Sequence, residues 1–273
     1  MSLKGIGQQT LDVIERGQYL APSGRRVDLG DSVERAVQGT VLYRPGEFSR
    51  ITVDTSPVEP PSGVRIEVTA EKTGAAARRL VEAGAAHVGA LNFASAKNPG
   101  GGFLGGAKAQ EEDLARCSAL YPCLLTQRDY YDANRADPSP LYTDHLIYAP
   151  DVPFVRDESL AFLEQPFQVS ILTAPAPNAG VALSRDSGVG ASIREVLQSR
   201  ALNVLRVAAH QGHRTLVLGA WGCGVFRNNP VEVAEAFALA LASFPGAFTH
   251  VVFAVYERGG DGPNLRAFQA RFG

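Results

Sequence analysis

Cysteine is scarce: the 273 residues hold three, Cys117, Cys123 and Cys223, an odd number with no paired C-x-x-C spacing. This excludes a disulfide framework and a structural zinc site and leaves ordinary reduced thiols. An excess of charge of one sign is also lacking. With 26 Lys and Arg against 28 Asp and Glu, the formal net charge is −2, which rules out a broad electrostatic grip on DNA or RNA while allowing a local basic pocket. No apolar run approaches the roughly 18 residues of a membrane helix, and the N-terminus has no signal-peptide pattern. The expectation is a cytoplasmic protein with no membrane partner and no direct nucleic-acid binding. Hydrophobic residues, at 45%, are ample for a globular core.

Glycine, by contrast, is abundant and concentrated. Residues 98–112 read Asn-Pro-Gly-Gly-Gly-Phe-Leu-Gly-Gly-Ala-Lys-Ala-Gln-Glu-Glu, with five glycines in the seven positions 100–106. Such a backbone reaches left-handed conformations and can lie against a ligand without Cβ obstruction. The apolar run 88–93 before it predicts a strand, and Leu114, Cys117, Leu120 and Tyr121 after it have helical spacing over 110–125. In an open α/β sheet, the order strand, glycine loop, helix places the loop at the carboxyl edge, where helix N-terminal amides favour anions. Phosphate suits such a loop. Phosphate loops usually recruit Lys or Arg, so the acidic pair Glu111 and Glu112 points to chemistry on the sugar side of a nucleotide.

The same order recurs. Residues 215–219 predict a strand, and Ala220-Trp221-Gly222-Cys223-Gly224-Val225-Phe226-Arg227-Asn228-Asn229-Pro230 leads into an apolar helix. Two such loops at neighbouring strand ends leave a cleft whose lips both present backbone N–H groups, with room for a diphosphate between them. Taken singly, either loop reads equally well as a tight turn. Trp221 is either a substrate platform or core, and its apolar surroundings favour core. His210 and His213 sit near a helix end without a third apparent metal ligand, and Arg227 suits either a phosphate or solvent.

Elsewhere the pattern is that of a βα protein. Strands are expected at 65–69, 88–93, 145–149, 169–173, 215–219 and 250–256, and helices at 74–83, 110–125, 190–210, 230–244 and 264–272, which implies a mostly parallel sheet covered on both faces. Ahead of these come an amphipathic helix up to Arg16, a hairpin turning at Pro22-Ser23-Gly24, and a short helix capped by Asp31 or Ser32. A proline-rich stretch at 55–63 stops regular structure but is short for a linker. The expected organisation is one compact unit, with residues 1–64 an accessory cap packed on a main domain of residues 65–273. Residues 127–142 lack periodicity and are expected to be a surface excursion whose tyrosines either pack or line a site.

Three consecutive glycines, then the seven residues from Phe103 to Ala109, then Gln-Glu-Glu, resemble the signature of the poly(ADP-ribose) glycohydrolases. The preceding Asn98-Pro99 is similar to the bacterial-type branch of that family. The likeness extends from about Arg65 to the C-terminus. It implies an α/β fold of macrodomain-like, three-layer α/β/α type with a mostly parallel mixed sheet. The implied activity is hydrolysis of ribose-ribose O-glycosidic bonds in poly(ADP-ribose), with ADP-ribose as product, ADP-ribosylated proteins as partners and no cofactor or metal. It further implies that Glu112 is catalytic, aided by Glu111, and that Glu111 and Asn98 contact the distal ribose. Gly100, Gly101, Gly102 and Gln110 are expected at the substrate, Gly222, Cys223, Gly224 and Val225 at the diphosphate, and Phe226 at the terminal ribose. Helix-start packing is an equal reading of Gln110. The resemblance places the adenine pocket near Glu71 and Thr73 and near Phe253 or Tyr256, each of which reads equally as a cap or core residue.

The chemistry agrees with that assignment. A single carboxyl can protonate the departing ribose oxygen and then, as carboxylate, activate the incoming water. Neighbouring glutamates at a helix start diverge by about 100°, so one can face the reacting oxygen while the other holds ribose hydroxyls. The acid must hold its proton when substrate arrives, which calls for burial and nearby negative charge around Glu112. Two rival readings share the cleft: a non-catalytic ADP-ribose-binding macrodomain, which does not need Gln-Glu-Glu, and a hydrolase of mono-ADP-ribosylated protein.

Overall fold

The computed structural model describes residues 2–53 and 63–273; most of the proline-rich stretch expected to bound the cap, residues 54–62, lies outside them. The N-terminal part runs α1 (Leu3–Arg16), β1 (Gln18–Leu20), β2 (Arg26–Asp28), α2 (Ser32–Gln38) and β3 (Val41–Tyr43). Next come β4 (Arg65–Thr69), α3 (Thr73–Glu82), β5 (Val88–Phe93), α4 (Gln110–Cys117), α5 (Leu120–Leu125) and α6 (Arg128–Ala136). The chain continues through β6 (Leu146–Arg156), β7 (Phe162–Ala174), α7 (Ala179–Arg185), α8 (Gly190–His210), β8 (Thr215–Leu218), α9 (Pro230–Ala242), β9 (His250–Ala254) and α10 (Pro263–Phe272).

Seven strands form the main sheet in the order β3-β6-β7-β5-β8-β9-β4. The pairs from β7 to β4 are parallel, and β3 and β7 each pair antiparallel with β6. Both faces are covered, and the strands' period of two divides their side chains between two cores. Leu91, Leu172, Leu216, Leu218, Val251 and Phe253 pack with α7 to α10 around Trp221 and Phe237. Their alternates Val88, Ala90, Ile171, Val217 and Val252 pack with α1 and with α3 to α6 around Leu120, Tyr130 and Phe154. This is the three-layer, macrodomain-like α/β/α arrangement that the resemblance implies. Because β5 and β8 are adjacent and parallel, the loops that follow them leave the sheet side by side at the same edge.

Several expectations need correction. Residues 128–136 form α6 rather than a surface excursion; Tyr130 and Tyr131 are buried with rings 4.7 Å apart, and the Asn134 amide donates to Tyr130 O. The helix expected over 110–125 is two helices, because Ser118 is extended (φ −143°, ψ 176°) and bridges to Phe154 of β6. Its hydroxyl binds Leu114 O and accepts from the Leu120 amide, so it serves both helix ends at the break. The strands expected at 145–149 and 169–173 extend into one long hairpin, with register shifts near Asp151 and Val155 absorbing the irregularity. Asp31 precedes α2 but makes no side-chain cap bond. The edge strand β3 had no sequence expectation at all.

The loop ahead of β6 is pinned by a buried cation. Arg200 of α8, with its side chain 2% exposed, donates to Asp144 Oδ1 (2.7 Å), Pro175 O (2.7 Å), Leu141 O (2.9 Å) and Tyr142 O (3.1 Å). Removing it strands four acceptors at once. Arg200→Met is expected to cost about 3 kcal/mol or more in urea unfolding; a loss below about 1 kcal/mol would show that the loop does not rely on this contact.

Candidate active site

The glycine run after β5 turns back on itself before α4 begins. The Gly101 amide donates to Asn98 O at 3.0 Å, and the Ala107 amide donates to Gly102 O at 3.1 Å. The turn wraps the carboxylates that open α4. Gly101 has φ +59°, and a Cβ there would run into Glu112 Oε1 and stand 3.2 Å from Glu111 Oε2, so glycine is required both by conformation and by space. The Gly102 amide donates to Glu112 Oε1 at 2.9 Å.

The two glutamates occupy different environments. Glu111 is 3% exposed; the Ser95 amide donates to its Oε2 at 2.6 Å, and the Asn92 side chain donates to Oε1 at 3.3 Å and to Thr173 Oγ1 at 3.2 Å. Burial pushes the Glu111 carboxyl up to about 8, opposed by the Ser95 and Asn92 donors and reinforced by the neighbouring charge of Glu112. Glu112 is half-buried. The burial expected around Glu112 thus belongs to Glu111. Behind Glu111, the hydroxyls of Tyr130 and Tyr131 are buried with no hydrogen-bond partner among the described residues, and burial foremost pushes both above the ordinary tyrosine range.

Gln110 fixes the start of α4. The Phe93 amide donates to its Oε1 at 2.8 Å, while its Nε2 donates to Leu91 O at 2.7 Å and Thr73 Oγ1 at 3.1 Å. Its amide is therefore committed to the protein, which is the helix-start alternative open in the sequence.

A cleft of about 750 Å³ opens over this turn. Asn98, Gly101, Gly102, Gln110, Glu111 and Glu112 line it from the first loop, and Gly222, Gly224, Val225 and Phe226 from the second. Two expected residues are not among its lining. Gly100 lies beneath the turn against Phe103 and Ala115, and Cys223 turns towards Trp221 O, its thiol pushed up to about 12 by burial. In the second loop, Gly222 has φ +72° with Ala176 and Asn228 packed against it, whereas Gly224 faces open space. Val225 is 84% exposed at the loop tip. Phe226 lies 5.9 Å from the Tyr142 ring, and its carbonyl accepts from the Gly180 amide that opens α7.

Other expectations divide. Trp221 is core, its indole N–H donating to Ala174 O at 3.1 Å. Phe253 is also core, its ring 4.3 Å from that of Phe272, and so cannot reach an adenine. Tyr256 does line the cleft, 57% exposed, with Lys72 Nζ 5.6 Å from its ring centre. Thr73 lines it too, but Glu71 faces Arg79 at 3.0 Å. His213 binds Tyr148 Oη and His87 O inside the protein, and His210 binds Thr52 O. Among the described residues no three His, Cys, Asp or Glu side chains gather as a metal site would, and no helix is long and apolar enough to cross a membrane. Reasoning from sequence missed Asn92, Ser95 and the 157–160 turn of the β6-β7 hairpin, which also borders the cleft. A polar Asn inside the otherwise apolar run 88–93 was the one available signal.

Comparison with known proteins identifies the family. The family model of the microbial-type PARG catalytic domain matches residues 7–157. The structure resembles poly(ADP-ribose) glycohydrolase from Thermomonospora curvata, with 47% identity, coverage of 99% of both chains and a TM-score of 0.92. It also resembles the Thermomonospora curvata enzyme bound to the inhibitor ADP-HPD, with 49% identity over 99% of both chains and a TM-score of 0.90. For the Deinococcus radiodurans enzyme in complex with ADP-ribose the identity is 47%, over 88% of this chain and 96% of that one, with a TM-score of 0.80. No curated protein sequence gives a significant match. On the family match and on identity across the whole chain, this protein belongs to the microbial-type poly(ADP-ribose) glycohydrolases, a family of hydrolases.

Proposed function

We propose that the cleft takes the terminal ADP-ribose unit of poly(ADP-ribose) and hydrolyses its ribose-ribose O-glycosidic bond, with Glu112 as general acid and then general base. The single observation that carries this reading is the arrangement of Glu112. One of its oxygens is tied to the Gly102 amide, which anchors that end of the carboxyl while the group borders the cleft. In the first step the Glu112 carboxyl gives its proton to the departing ribose oxygen as the bond to the anomeric carbon breaks. In the second, the Glu112 carboxylate takes a proton from water as that water attacks the oxocarbenium-like carbon, which restores the acid. Glu111, held by Ser95 and Asn92, presents a carboxyl to the ribose hydroxyls together with Asn98. Backbone amides of Gly222, Gly224 and Val225 receive the diphosphate, so no metal is required, and Phe226 sets the ribose. ADP-ribose is the product, and the enzyme is cytoplasmic.

Residues 1–64 act in this reading as a cap on the catalytic domain of residues 65–273. Support comes from α1, which reaches the cleft with Leu3 and packs Gly7 on Phe103 and Lys4 on Gly106 of the glycine turn. Closure on that side restricts the enzyme to chain ends. A non-catalytic reader has no use for two carboxylates enclosed by the turn, and a protein-ribose bond differs in geometry from the ribose-ribose bond that Glu112 would serve.

With labelled poly(ADP-ribose) resolved by chain length, the wild type is expected to release monomeric ADP-ribose early. Glu112→Gln should lose turnover by about a hundredfold or more while holding ADP-ribose affinity within about threefold, since diphosphate and base supply most of the binding. Near-normal hydrolysis by Glu112→Gln would refute the role of that residue, and early oligomers would refute end-trimming.

Glu111 yields a stability expectation. Its pKa is raised on folding from the ordinary 4.5 to about 8, so its contribution to stability is fully present below about pH 4.5 and is lost as pH rises through about 8. Glu111→Gln keeps the shape and cannot ionise. The stability of the wild type minus that of Glu111→Gln, measured by denaturant unfolding from pH 5 to pH 9, is expected to fall by a few kcal/mol; a flat difference would mean that the carboxyl is not held neutral.

A further inference from the structure

Helix α4 has eight residues and carries both glutamates. In so short a helix nearly every backbone group belongs to one end or the other, so the partners of its ends determine how it is rotated and where its side chains point. Its start is held by the Gln110 amide. Its far end is held from outside the catalytic segment. The carbonyl of Arg116, one of the last in the helix, accepts a bond from Thr10 Oγ1 of α1 at 2.8 Å. The same hydroxyl oxygen accepts from Arg156 Nε at 2.8 Å.

Thr10 is wholly buried and does not border the cleft. Through Arg156 it is joined to two further pieces: Arg156 also donates to Gln9 Oε1 at 2.7 Å and to Leu160 O, in the hairpin turn beside the cleft, at 2.6 Å. The Arg116 guanidinium, itself fully buried, folds back to Ala107 O at 2.5 Å and to Asp113 Oδ1 at 3.2 Å. Thus the end of α4 and the end of β6 meet α1 at one hydroxyl, and the Arg116 guanidinium ties that same end of α4 back to the turn before the helix. That atom must donate to a carbonyl and accept from a guanidinium at once. Serine can do both, whereas valine, of nearly the same shape, can do neither and would leave a buried carbonyl and a buried cationic N–H without a partner. The helix end would move to recover them, and Glu112 with it.

We infer that Thr10 is a positioning residue for the glycohydrolase reaction, acting through the end of α4 on the placement of Glu112. The inference rests on the assignment of Glu112 as the acid. The test compares the full-length wild type, Thr10→Val, Thr10→Ser and Glu112→Gln on labelled poly(ADP-ribose), with ADP-ribose affinity measured by calorimetry. Misplacement of a reacting group by a fraction of an ångström to an ångström costs on the order of tenfold to a hundredfold in rate. Thr10→Val is therefore expected to lower kcat by that factor with KM and ADP-ribose affinity within about twofold, and Thr10→Ser to restore kcat to within about threefold of the wild type. Unchanged kcat in Thr10→Val, parallel loss of ADP-ribose affinity, or failure of Thr10→Ser to restore the rate would overturn the inference. So would unfolding of Thr10→Val together with Thr10→Ser, which would assign the residue to stability alone. A fully active Glu112→Gln would defeat the assignment of the acid and the Thr10 inference with it, whereas an inactive Glu112→Gln beside an unaffected Thr10→Val would defeat the Thr10 inference alone.

Discussion

The site depends on the absence of one side chain. A Cβ on Gly101 would stand 2.9 Å from Glu112 Cδ and 3.2 Å from Glu111 Oε2, at a φ of +59° that side-chain-bearing residues rarely adopt. The glycine turn can therefore close directly against both carboxylates, giving Glu112 an amide ligand and leaving Glu111 almost wholly buried at the wall of the cleft. A short helix and a tight turn together produce two adjacent glutamates with unlike surroundings. Sequence neighbours are separated here by burial: Glu111 sits under the turn, its carboxyl pushed up to about 8, and Glu112 sits at the edge of the cleft.

The sheet supplies the setting. Strands β5 and β8 run parallel and adjacent, so two glycine loops, drawn from segments more than a hundred residues apart, open at the same edge and face one cleft. Helix α4 is fixed at its start by an amide that reaches into β5 and at its end by α1, while Arg200 pins the loop that brings Tyr142 beside Phe226. The N-terminal segment is thereby woven into the rest of the fold: β3 completes the sheet edge, and α1 lies on the glycine turn.

Much of this was legible in the chain. Uniform apolar runs bounded by glycine marked β5, β8 and β9 because strands buried on both faces need little else. The helices α8 and α9 followed from their length and spacing. What could not be read depended on contacts made across the fold. Residues 128–136 look too polar and aromatic for a buried helix, yet Tyr130 and Tyr131 bury their rings against elements distant in sequence, and tertiary packing overrides the weak local pattern. The break at Ser118 is set by a bridge to Phe154, and the long hairpin is disguised by prolines and a bulge near Asp151. Within the site, the signature located Glu111 and Glu112, but their unequal burial, the structural use of Gln110 and the departure of Phe253 to the core required knowing which face of each element meets the cleft.

The central claim is that the closed glycine turn places the carboxylates for chemistry. It is tested most directly by the turnover of labelled poly(ADP-ribose) by Gly101→Ala, alongside its unfolding midpoint. The account predicts a folded protein whose turnover is reduced by about a hundredfold or more, because the added methyl forces Glu112 from its place. A folded Gly101→Ala variant with turnover close to that of the wild type would contradict it.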